Sequence, residues 1–83
     1  MNNYVYLNPC DGRKSFYGKA RVRIDDDGSR TLISYTTAVC RINASGKFEK
    51  LWNGYSATTM RHINAFCSTY GIDGGGKAWW DKL

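Results

Sequence analysis

Residues 55–71 read YSATTMRHINAFCSTYG, and this stretch decides the fold because it carries a start signal and a stop signal for one helix. Ser56 is a preferred N-cap, and Tyr55 before it stands where a residue can staple onto Met60. Gly71 follows the last periodic residue and suits the left-handed conformation past a helix end, with Ile72 as its usual apolar companion. A helix from about residue 57 to 70 follows. At about 100° per residue, Met60, Ile63, Phe66, Cys67 and Tyr70 gather into one stripe, with Thr59 beside it. Arg61 falls opposite with Thr58, Ala65, Ser68 and Thr69, while His62 and Asn64 fall on the two flanks. A single apolar stripe needs a surface to cover.

That surface lies upstream. Phe16, Gly18, Ala20, Val22 and Ile24 share one parity and Tyr17, Lys19, Arg21 and Arg23 the other, so a strand of period two turns the first set inward and makes a basic row outside. Before it, Tyr4 to Leu7 reads as a short strand that ends in a turn at Asn8, Pro9, Cys10, Asp11 and Gly12. After it, Asp25 to Gly28 supplies a reversal, and Arg30 to Ile42 reads as one long strand. Its mixed parity, with Leu32, Ala38, Cys40 and Ile42 against Ile33, Tyr35 and Val39, implies a bulge near residues 34–37 or cover on both faces. A second reversal at Asn43 to Gly46 returns the chain as a fourth strand over 47–52.

The expected fold is α+β: a four-stranded antiparallel meander, one helix packed across a face, and a short C-terminal helical turn beyond the glycine link at 73–76. With 83 residues, the chain forms one domain, 1–83, with one core and no room for a large enclosed substrate cavity. Apolar residues at 42% and aromatics at 14% argue against disorder. No apolar run approaches the roughly 18 residues needed to span a bilayer, and no basic segment leads into an apolar one at the start, so a cytoplasmic protein is expected.

Enzymatic chemistry is hard to assemble from these residues. One histidine is present, no paired catalytic carboxylates occur, and no nucleophile elbow or zinc-protease motif is found. Cys67 and His62, five positions apart on a helix, point about 140° away from each other. The glycines at 74–76 lead into Lys77 and Ala78, which is no phosphate loop. Asp25, Asp26 and Asp27 lack the spaced ligands of a calcium loop. Three cysteines without a CxxC pair read as buried or reduced thiols, not as a zinc site with His62. No catalytic residue, cofactor or metal is expected.

Twelve Lys and Arg against seven Asp and Glu give a net charge of +5, and a pI near 9.3, which favours a polyanionic or acidic partner. The row Lys19, Arg21 and Arg23 has two readings, a solvated strand face or cations spaced by about 7 Å that follow phosphates, with Tyr17 and Tyr35 near enough to stack. Arg41 and Arg30 on the neighbouring strand widen that patch. Trp79 and Trp80 cannot both be buried easily, so one is expected as a lid on the sheet and the other as an exposed anchor. By elimination, the expected contact surface combines Lys19, Arg21 and Arg23 with Arg61 or with Lys77 and Trp80.

Two blocks carry a resemblance. Ser34, Tyr35, Thr37 and Val39, followed by Tyr55, Ser56, Thr58, Thr59, Arg61, His62 and Ile63, resemble the pattern SYxTxV then YSxTTxRHI of a family of small proteins encoded by bacteriophages and prophages of Firmicutes. The resemblance covers about half the chain and implies a phage accessory protein acting in the host cytoplasm to remove host obstacles. The expected function is therefore binding without catalysis, directed at a host protein or nucleoprotein such as a nucleic-acid-guided defence nuclease, in the manner of an anti-CRISPR protein. Direct DNA or RNA binding is the alternative, and a self-associating module is a third.

Overall fold

The two sequence-marked reversals are built alike. Asp25 N–H donates to Ser29 O and Gly28 N–H to Asp25 O, both at 3.0 Å, with Gly28 at φ 89°. Asn43 N–H donates to Lys47 O at 2.9 Å and Gly46 N–H to Asn43 O at 2.8 Å, with Gly46 at φ 87°. Each loop also spends an acidic or amide side chain on its own backbone: Asp27 Oδ1 accepts from Ser29 N–H, and Asn43 Oδ1 from Ser45 and Lys47 N–H. These hairpins organise a computed structural model that describes residues 3–8 and 18–83. The expected turn over Pro9 to Gly12, the thiol of Cys10 and the side chains of Phe16 and Tyr17 lie outside the described residues.

The fold is α+β: an antiparallel meander in the order β1 (Asn3–Tyr6), β2 (Ala20–Ile24), β3 (Arg30–Ser34), β4 (Thr37–Ile42), β5 (Phe48–Lys50), followed by α1 (Ala57–Tyr70) and a short α2 (Lys77–Asp81). The sheet has five strands where four were expected. The segment read as one long strand breaks at Tyr35 and Thr36, where Tyr35 takes φ 58° and Ser34 pairs with Thr37. A tight reversal of this kind normally takes Gly, Asn or Asp, so an aromatic residue at the left-handed position hid it. The parity conflict that suggested a bulge has a second source as well. The register steps between Leu32 and Ile33, leaving Val39 unpaired across β3 while its carbonyl accepts from both Leu51 and Trp52 N–H.

The helix has the expected bounds. Ser56 Oγ accepts from Thr59 N–H at 3.0 Å, Gly71 sits at φ 71°, and Ile72 N–H donates to Cys67 O at 2.9 Å, the 6→1 bond of a Schellman end. Met60, Ile63, Phe66 and Cys67 pack with Ala20, Val22, Leu32, Cys40 and Ile42 in one core. The buried arc is wider than a single stripe. Ala65, expected outside, is fully buried, and His62, expected on a half-exposed flank, is 1% exposed. The β3–β4 reversal brings Ser34 and Tyr35 against that flank. Tyr55, expected as a staple, is half exposed with Lys77 Nζ 5.4 Å from its ring centre.

Trp80 is a second correction. It was expected in the contact surface, yet it is 1% exposed and is the largest fully buried side chain among the described residues. Its indole N–H donates to Gly54 O at 3.0 Å, and the Lys50 ammonium lies 4.8 Å from the ring centre while bonding Trp80 O. One turn of helix is enough to place it: Gly76 lets the chain enter α2 at φ 86°, and Asn64 Oδ1 on α1 accepts from Gly76 N–H. Trp79 is the partly exposed member of the pair, tilted against Phe48 with ring centres 5.3 Å apart. A Cβ at Gly74 would collide with the Trp79 indole, so this link is close packed as well as permissive.

Candidate binding face

Because directly opposed residues in an antiparallel sheet share a face, the register determines which side each residue occupies. Val5, Val22, Leu32, Cys40 and Lys50 form one cross-strand row, and the row beyond it runs Asn3, Ile24, Arg30, Ile42 and Phe48. These are on the side that α1 covers. The intervening rows are different in character: Tyr4, Arg23, Thr31, Arg41 and Glu49, then Tyr6, Arg21, Ile33 and Ala38. Neither described helix lies over them. Three arginines and two tyrosines thus share the helix-free face, with Tyr4 50% and Tyr6 63% exposed.

The side chains on this face are ordered by one another. The Arg21 guanidinium lies 5.3 Å from the centre of the Tyr4 ring and donates to Tyr35 O at 3.1 Å, a cation–π contact combined with a backbone anchor. Arg23 Nε donates to Asp25 Oδ1 at 3.1 Å. Arg41 Nε donates to Glu49 Oε1 at 2.7 Å, and Nη2 lies 2.6 Å from the same oxygen as an ion pair. The two acids offset two of the arginines, so Arg21 supplies the net positive charge of these rows, with the exposed Lys19 just before β2 in the chain.

The expected residues are therefore divided. Arg21 and Arg23 come together with Arg41, while Lys19 is exposed just before β2 and outside its register. Arg30 does not join them, because its row faces α1 and its guanidinium stacks 5.1 Å from the Tyr70 ring centre. Arg61 is partly buried on α1, on the opposite side of the sheet from Arg21 and Arg23. Lys77 is exposed but bonds Asp81 Oδ2 at 2.6 Å one turn away, an ion pair that raises its pKa. Tyr4, Tyr6 and Thr31 were missed as site residues. The alternation of Tyr4 and Tyr6 about Val5 was the available signal for the tyrosines. Thr31 had none, since it is distinguished only by its neighbours.

On the helix side a buried polar cluster joins the β3–β4 reversal to the first turns of α1. Ser34 Oγ lies 2.8 Å from His62 Nδ1 and 3.2 Å from Thr59 Oγ1, and the Tyr35 ring tilts against the imidazole with centres 5.8 Å apart. Burial, reinforced by the charge of Arg61, pushes the His62 pKa below its ordinary value of 6.5. Ser34 is itself only 3% exposed, so the serine and histidine tie the helix to the sheet instead of presenting a nucleophile to solvent. Burial likewise pushes the Cys40 thiol up. Among the described residues no group of three or more His, Cys, Asp or Glu is placed to hold a metal ion, and no helix is long and apolar enough to cross a membrane.

The fold and the face together define a small α+β protein whose conspicuous surface is one side of an antiparallel sheet. The chain belongs to a family of unknown function, DUF8033, whose model matches residues 5–82. Neither the curated proteins nor the solved structures yield a match.

Proposed function

We propose that this chain is a non-enzymatic phage accessory protein that acts by binding, and that it engages a host nucleoprotein through the helix-free face of its sheet. The observation that carries this reading is the face itself: Tyr4, Tyr6, Arg21, Arg23 and Arg41 in adjacent rows, with the exposed Lys19 just before β2 in the chain. Tyrosine and arginine are the side chains that most often dominate interface energy, and a net charge of +5 favours an anionic partner. The resemblance of the Ser34 and Tyr55 blocks to phage and prophage proteins supports the host cytoplasm as the place of action and a nucleic-acid-guided defence nuclease as the kind of target. A binding role also fits the polar groups of the molecule, because the Ser34–His62 pair is sealed in the interior.

The test is reversal of Lys19, Arg21 and Arg23 to glutamate in one variant, checked for folding by circular dichroism and melting temperature. Partner capture from host lysate, with and without nuclease treatment, should be lost while the fold remains. A folded triple variant that keeps full capture and full phage-related activity removes this face from consideration.

A further inference from the structure

Thr31 lies at the middle of the Tyr4–Arg23–Thr31–Arg41–Glu49 row, and its Oγ1 is the one buried side-chain polar atom among the described residues with no hydrogen-bond partner. The residue is 1% exposed. A valine of the same shape would suit a central strand equally well and would avoid desolvating a hydroxyl for no bond. The neighbours on either side are arginines held in a particular way. Asp25 engages Arg23 through Nε, and Glu49 engages Arg41 through Nε and Nη2, and a guanidinium carries five N–H donors, more than one carboxylate takes up. Both side chains are about a third exposed, at 32% and 39%, so they can draw apart over an incoming group.

Resting on the reading of the helix-free face as the binding surface, we propose that Arg23, Thr31 and Arg41 form a seat for a backbone phosphate of single-stranded nucleic acid, with Tyr4 and Tyr6 as stacking platforms for its bases. A phosphate oxygen lodged between the two guanidinium groups accepts from Arg23 and Arg41 and takes the Thr31 hydroxyl as its third donor, which is the partner that hydroxyl lacks. The two carboxylates orient the guanidinium groups from behind. Tyr4 adjoins Arg23 in the same row, and Tyr6 stands two residues further along β1, about 7 Å away. A sheet face with aromatic rings interleaved among cations suits unpaired bases, whose faces are free to stack, better than a duplex, whose bases are already stacked. Because Asp25 and Glu49 offset two arginines, the salt dependence is shallow: two or three phosphates on a single strand give a log–log slope of about −1.5 to −2.

The deciding experiment titrates the full chain with a fluorescent single-stranded 12-mer and with the duplex of the same sequence. Thr31→Val should weaken single-strand binding about tenfold or more, the loss expected for a hydrogen bond to a charged group, while its melting temperature stays the same or rises. Thr31→Ser should restore binding, and Arg41→Lys, which keeps the charge but loses the fork, should weaken it. Single-strand binding by Thr31→Val equal to that of the unaltered chain overturns the seat, as does preference for the duplex. If the 12-mer does not bind at all while the Lys19, Arg21 and Arg23 reversal still abolishes partner capture, the face reading stands and the partner contact is to protein.

Discussion

Replacing Ser34 by alanine tests whether the polar contact between the two motif blocks is part of what holds the helix on the sheet. The substitution removes one atom, Oγ, and with it the 2.8 Å contact to His62 Nδ1 and the 3.2 Å contact to Thr59 Oγ1. Both partners are buried, at 1% and 6% exposure, so water cannot replace the lost bond without opening the packing. Thr59 has a fallback, since a helical threonine can turn its hydroxyl onto the carbonyl one turn back. The imidazole loses the 2.8 Å contact at Nδ1, and the loss of a buried polar group's bond costs about 1–3 kcal/mol. The cavity left by a single oxygen adds little, so the expected loss is about 2 kcal/mol. Urea unfolding followed by tryptophan fluorescence measures it, because Trp80 is wholly buried in the folded chain. The midpoint should fall with the slope unchanged. A companion variant, His62→Phe, supplies the cycle: with the imidazole gone, Ser34→Ala should cost well under 1 kcal/mol. A loss below about 0.5 kcal/mol in the otherwise unaltered chain would mean that the cluster contributes nothing, and the reasoning fails.

Four further outcomes rest on the same structure. His62 is held below its ordinary pKa of 6.5, so the unfolded chain binds the proton more readily; stability is full above about pH 6.5 and falls on acidification, by at most about 1.4 kcal/mol per pH unit for one group. Chemical denaturation at pH 7.5 and 5.5 should reveal that loss, and it should vanish in His62→Phe. Trp80→Ala should cost about 3–5 kcal/mol, the usual range for emptying a large aromatic site, and dispersed NMR signals from α2 should collapse with it. Gly71→Ala forces a Cβ into the left-handed conformation at φ 71° and should lower stability by about 1 kcal/mol, whereas Ser56→Ala should lose a similar amount through the missing cap; thermal melts distinguish both from the unaltered chain.

The sequence by itself determined the elements whose signals are local. Ser56 and Gly71 bracket α1 because caps act within one turn, Asp25–Gly28 and Asn43–Gly46 reverse the chain through their own side chains and glycines, and the alternation from Ala20 to Ile24 orients β2 because a strand's period is set by its backbone. It also placed Arg21 and Arg23 on one face. Tertiary structure decided the rest, in each case because a partner distant in sequence supplied the energy. Tyr35 turns the chain in a conformation that its own propensity disfavours, next to a histidine 27 positions further on. His62 looked like a helix flank until Ser34 met it, and Trp80 looked like an anchor until Gly54 and Lys50 received it. Tyr4 was an unremarked strand residue until the register set it beside Arg23, and Thr31 acquires significance only from Arg23 and Arg41 on either side. Periodicity assigns a side chain to a face, but which faces are then covered depends on contacts that close long loops, and no window of neighbouring residues contains them.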